Sequence, residues 1–177
     1  MPEISFSEPA LPTSGALVLL IGEGETPAGI WRAADEATGG TIGRALSVAE
    51  FTGKKGQSVT VLAPGAGLAR VVAVGLGNEA DRTRLVVEEA GGTAVSLLAR
   101  EPVVVMAADL LAPALAAAAA HGALLRSYRF DRYRTQEKED ERPRLAQLSV
   151  LTSDAAGARA SYAPMQALAE GAFLTRD

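Results

Sequence analysis

Three short, unbroken apolar runs decide what this chain can fold into: residues 16–21 (Ala-Leu-Val-Leu-Leu-Ile), 71–74 (Val-Val-Ala-Val) and 102–106 (Pro-Val-Val-Val-Met). Runs this short do not make independent helices. They also lack the polar alternation of a strand with one wet face. They read as strands covered on both faces. The segments between them carry helical periodicity. Residues 30–37 form one such segment, and residues 41–51 a second, with Ile42, Ala45, Leu46 and Ala49 as its apolar stripe. A longer helix is expected from a cap at Asp81 or Thr83 to about Arg100, with Leu85, Val86, Ala90, Val95 and Leu98 inward. Gly91-Gly92 in its middle argues against it by about 1 kcal/mol per glycine. Pro113 at a first-turn position opens a helix to about Tyr128.

Residues 57–62 (Gln-Ser-Val-Thr-Val-Leu) alternate and are rich in β-branched side chains, so they are expected to be a strand. The link from there to residues 70–75 is too short for a parallel crossover, which leaves antiparallel pairing or strands that are not neighbours. Residues 4–6 read as an edge strand and residues 145–152 as the last strand. Residues 162–177 read as a last helix with no stop signal after Leu174. Residues 131–144 are dense in charge of both signs and read as a solvated loop. Strands alternating with helices, plus one hairpin, predict a three-layer α/β fold. Its sheet is mixed and mostly parallel, with helices on both faces.

Composition narrows the function classes. An apolar share of 48% suffices for a core, and 177 residues suit one domain. With no cysteine, a disulfide framework, a thiolate metal site and a Cys nucleophile are excluded. A net charge of −4 argues against a broad nucleic-acid surface. No apolar run reaches the roughly 20 residues that span a bilayer, and no signal peptide is seen. A soluble, cytoplasmic protein is the expectation.

No catalytic constellation stands out. His121 is the sole histidine, so no His pair or Ser-His-Asp triad can be built, and it reads as a partly buried helix residue. Gly22-Glu23-Gly24 follows a strand, but Pro27 stands where a dinucleotide turn needs its third glycine. Gly75 and Gly77 end a central strand, either as a simple turn or as a place for a ligand to approach. Glu88-Glu89, residues 137–141 and Lys54-Lys55 read as solvated charge.

Four segments in order carry a resemblance: Phe51-Thr-Gly-Lys-Lys-Gly-Gln57, Val71-Val-Ala-Val-Gly-Leu-Gly77, Gly122-Ala-Leu-Leu-Arg-Ser-Tyr-Arg-Phe-Asp-Arg-Tyr-Arg134 and Ala169-Glu-Gly-Ala-Phe-Leu-Thr-Arg-Asp177. From about Ala16 to Asp177 the chain resembles the N-terminal domain of the leucyl (cytosol) aminopeptidase family. The resemblance implies a macro-domain-like fold and a single N-terminal domain, residues 1–177, of a longer protein. That parent would release N-terminal amino acids from peptides with two divalent metal ions, zinc or manganese. In the family the metal ligands and the assisting arginine belong to a C-terminal catalytic domain. The family's Asp-x-Glu-Gly-Arg signature is not in this sequence, where Ala172 follows Glu170-Gly171. No catalytic, metal or cofactor residue is therefore carried onto this chain. The implied partners are the catalytic domain of the same polypeptide and further copies in a hexamer. Some bacterial relatives bind DNA, which the acidic balance here argues against. Tyr128, Phe130 and Tyr133 are expected to anchor their helix to the sheet. The alternative is a stand-alone macro-domain-like module binding ADP-ribose or a related nucleotide near Gly75 and Gly77.

Overall fold

The computed structural model of the protein describes residues 1–132 and 142–175. The elements run β1 (Glu3–Ser7), β2 (Ala16–Gly22), α1 (Gly29–Ala37), α2 (Thr41–Val48), β3 (Ser58–Gly65), β4 (Leu68–Gly77), α3 (Arg84–Leu97), β5 (Val103–Ala107), α4 (Pro113–Arg132), β6 (Gln147–Leu151) and α5 (Ala155–Leu174). The six strands form one sheet in the order β1-β6-β5-β2-β4-β3. Every neighbouring pair is parallel except β3 and β4, which form the expected antiparallel hairpin. β1 is an edge strand, and β4 and β5 each have a neighbour on both sides.

The continuous apolar runs follow from two covered faces. In β2, Leu17, Leu19 and Ile21 pack with Ile30, Ala34, Ile42 and Leu46 of α1 and α2. Ala16 and Val18 point the other way, into a core shared with α3, α4 and α5. Alternate side chains leave opposite faces of a strand, so both parities must be apolar here. The architecture is three-layered α/β, as expected.

In the three-helix layer α4 packs against both α3 and α5. Ala116 through Ala120 are all fully buried. Such small side chains let backbones approach closely, and the glycines take this further. A Cβ on Gly91 would lie 2.8 Å from the carbonyl carbon of Ala119, and one on Gly122 would lie 2.6 Å from that of Glu88. Gly91, which argued against a helix in the sequence, is thus one of the residues that let α3 meet α4.

Several expected details change. Leu85 is 62% exposed, and the buried face of α3 is Val87, Ala90, Gly91, Ala94 and Val95. The cap of α3 is Thr83, whose Oγ1 accepts from Val86 N. Helix α5 begins seven residues before Tyr162, because the Asp154 carboxylate accepts from Gly157 N at 2.9 Å and caps it there. Pro164 lies inside that helix. Tyr128 is partly buried against the core that the sheet shares with α3, α4 and α5. It stacks on Phe173 of α5, with centroids 3.9 Å apart and an 11° interplanar angle. Phe130, Tyr133, residues 137–141 and most of the charged 131–144 segment fall outside the described side chains. The expectation for the end of the last helix falls partly on residues 176–177, also outside them.

Candidate functional site

In an open parallel sheet the natural ligand crevice lies beyond the carboxyl ends of the strands, where successive connections leave on opposite faces. Here that place is beside β2. Its outgoing connection carries α1 and α2 on one face, while β4 and β5 lead into α3 and α4 on the other.

The chain fills both sides of this crevice itself. Over the ends of β4 and β2 lies the turn formed by residues 52–56. Gly77 N donates to Gly53 O at 2.9 Å, Gly75 N to Gln57 O at 2.9 Å, and Gly24 N to Thr52 O at 3.3 Å. Gln57 Oε1 organises the turn by accepting from Thr52 N, Thr52 Oγ1 and Lys54 N at 3.0–3.1 Å. A Cβ on Gly75 would lie 2.8 Å from the Lys54 carbonyl carbon, so only glycine allows this contact. The space near Gly75 and Gly77, the expected place for a nucleotide on the alternative reading, is occupied by the protein's own backbone. Between β2 and β5, Asp109 Oδ2 accepts from Ile30 N at 3.0 Å. Ala28 offers no side-chain cap to α1, so this carboxylate from a distant loop sits where an anion would bind the helix N-terminus.

Five other carboxylates are similarly engaged. Glu25 holds Arg82 at 2.8 Å and accepts from Gly22 N at 3.1 Å. Asp35 accepts from Gly43 N at 2.8 Å. Glu101 pairs with Arg70 at 2.8 Å. Glu88 is only 17% exposed and pairs with His121, which corrects the reading of Glu88 as solvated, and Glu89 pairs with Lys55. Among the described residues no group of three or more His, Cys, Asp or Glu side chains could hold a metal ion. The described donor set therefore does not fit the two ions that the resemblance implies for a parent. Tyr162, against Phe6 in the core, has its phenol pushed up to about 12, first by burial and then by the charge of Glu170. No described helix is long and apolar enough to cross a membrane.

Two of the open concavities among the described residues are large. One, of about 510 Å³, runs between α3, α4 and α5 and is lined by Leu85, Gly92, Leu125, Tyr128 and Phe173, with Glu88 in its wall. The other, of about 640 Å³, lies outside the end of β2, against α1 and α2. Ile21, Trp31, Leu46 and Phe51 give it an apolar wall, and Glu23 and Lys54 line it with opposite charges. The Trp31 Nε1–H is buried without a hydrogen-bond partner among the described residues. A donor left in that state costs roughly 1–3 kcal/mol. Sequence reasoning missed this cleft, the Asp109 cap and the Glu25–Arg82 pair. Each joins residues far apart in the chain, and no local pattern marks them.

What fold and site define is a three-layer α/β domain whose strand-end crevice is closed by its own turn and carboxylate. The model of the cytosol aminopeptidase family's N-terminal domain matches residues 18–137. The chain is 39% identical over 166 residues to a probable cytosol aminopeptidase of Caulobacter vibrioides, covering 93% of this chain and 34% of the relative. A probable cytosol aminopeptidase of Rhizobium etli is 38% identical over 183 residues, covering 99% of this chain and 36% of the relative. The chain belongs to the cytosol aminopeptidase family, in its N-terminal domain, and spans about a third of the length of the curated relatives it matches. The fold is also that of a tomato leucine aminopeptidase mutant, with TM-score 0.78, 21% identity, and coverage of 97% of this chain and 36% of that one. The bottromycin maturation enzyme BotP in complex with Mn shares it at TM-score 0.65 and 24% identity, over 93% of this chain and 31% of that one.

Proposed function

We propose that the chain serves as the non-catalytic, assembly or regulatory domain of a metallo-aminopeptidase, a hydrolase that releases N-terminal amino acids from peptides. The observation that carries this reading is the match of residues 18–137 to the family's N-terminal domain, in a chain spanning about a third of its relatives. On this reading residues 1–177 form one domain, and a C-terminal domain of the same polypeptide holds two divalent ions, zinc or manganese, and the substrate. The domain itself supplies no catalytic, metal-binding or cofactor-binding residue. It works in the cytoplasm, within a hexamer. Its own contribution is structural: a rigid sheet, covered on both faces, that carries helix α5 as a firm base for what it joins.

The test is hydrolysis of leucine p-nitroanilide by the purified chain with added Mn²⁺ or Zn²⁺. No turnover above buffer is expected. Turnover that follows the protein through successive purification steps, and is abolished by chelation, would overturn the proposal.

A further inference from the structure

We propose that the cleft outside the end of β2 binds a small zwitterion with an apolar side chain, an α-amino acid or a short peptide. The charge pattern of its rim is the first ground. Three charged side chains line it: Glu23, Glu25 and Lys54. Glu25 is already neutralised, because Arg82 holds it at 2.8 Å with only 10% of the Arg82 side chain exposed. Glu23 and Lys54 have no ion-pair partner among the described residues. One free carboxylate and one free ammonium therefore remain on the same cleft. An anion alone or a cation alone would satisfy one of them and be repelled by the other. A zwitterion satisfies both, its ammonium toward Glu23 and its carboxylate toward Lys54.

The second ground is the wall between those charges. Trp31 and Phe51, both half-buried, supply apolar surface backed by the buried Leu46 and Ile21, and the volume of about 640 Å³ lies within the usual range for small-molecule sites. The cleft is distinct from the space near Gly75 and Gly77, which the turn formed by residues 52–56 closes.

Trp31 is the only tryptophan, so its fluorescence reports on the cleft without a label. The chain is titrated with L-leucine and with leucylglycine, and in parallel with isoamylamine, which lacks the carboxylate, and isocaproate, which lacks the amine. Calorimetry is run on the same samples. Saturable binding is expected for at least one zwitterion, with neither single-charge analogue competing at equal concentration. Which zwitterion binds more tightly separates the free amino acid from the peptide. Glu23→Gln and Lys54→Ala should each weaken binding about tenfold, the size of one charge-assisted contact. Both side chains belong to exposed residues, so unfolding does not confuse the result. Absence of saturable binding by both methods, equal binding of the single-charge analogues, or unchanged affinity in both variants would each overturn the proposal. Binding is read on this chain without peptidase activity, so its failure is separate from failure of the assembly reading.

Discussion

Replacing Gly122 with alanine should destabilise the domain, although alanine is the better helix former by about 1 kcal/mol. Gly122 lies in α4 where it crosses α3. A Cβ there would stand 2.6 Å from the carbonyl carbon of Glu88 and 2.8 Å from its Cα. Both obstacles are backbone atoms of a packed helix and cannot rotate away. The helices must separate, which loosens the fully buried alanine layer at residues 116–120. Overpacking costs typically 1–3 kcal/mol, and an obstacle of rigid backbone puts this substitution at the upper end, about 2–3 kcal/mol. The net expectation, after the propensity gain, is a loss of about 1–2 kcal/mol. In a domain of this size that lowers Tm by roughly 2–8 °C. Gly171 is the internal control. It lies in α5 with nothing within 4 Å of a built Cβ. Gly171→Ala should therefore gain up to about 1 kcal/mol from propensity alone. Urea denaturation of the two variants and the parent chain, compared at constant m, gives the answer. If both alanines stabilise the domain equally, the close α3–α4 approach is wrong and the account of Gly91 and Gly122 fails with it.

Three further outcomes are expected. Asp109→Ala removes the cap on Ile30 N and should cost about 0.5–2 kcal/mol, with faster amide exchange concentrated in the first turn of α1; unchanged exchange there would remove Asp109 from that role. Gln57→Ala takes away the acceptor shared by Thr52 N, Thr52 Oγ1 and Lys54 N, and should cost about 1 kcal/mol while exposing the amides of Gly75 and Gly77; protection of those amides at the parental level would contradict it. Tyr162 keeps its proton until about pH 12 in the folded state, against about 10 when unfolded, so the folded state holds more protons across that window and stability falls as pH rises through it. Ultraviolet titration should show a phenol that ionises near pH 12, and Tyr162→Phe should remove that step; a titration curve that Tyr162→Phe leaves unchanged at high pH would refute it.

The sheet was legible because its strands are buried on both faces. Leu17, Val18 and Leu19, or Val71 to Val74, cannot be apolar at both parities for any cheaper reason. The hairpin was legible from the short link between β3 and β4. Helix boundaries were less so. The last helix is expected from residue 162, whereas the Asp154 cap starts it at Ala155 with Pro164 inside it. Leu85 looks inward by periodicity alone, yet the glycine contact at Gly91 fixes the rotation of α3 and leaves Leu85 facing out. The strand-end region was the least legible. Gly75 could mean a ligand or a turn, and only the position of Lys54 O decides between them. The Ile30–Asp109 bond spans 79 positions and has no local signature.

The most direct test of the central claim is an exchange of domains. This chain is fused in place of the first third of the Caulobacter vibrioides relative, and the fusion is compared with the relative and with this chain alone. Sedimentation and hydrolysis of leucine p-nitroanilide with Mn²⁺ are measured on all three. The account predicts that the fusion sediments with the intact relative and turns over substrate, while this chain alone does not. A fusion that sediments as a monomer without activity, beside an isolated chain that hydrolyses the substrate, would contradict it.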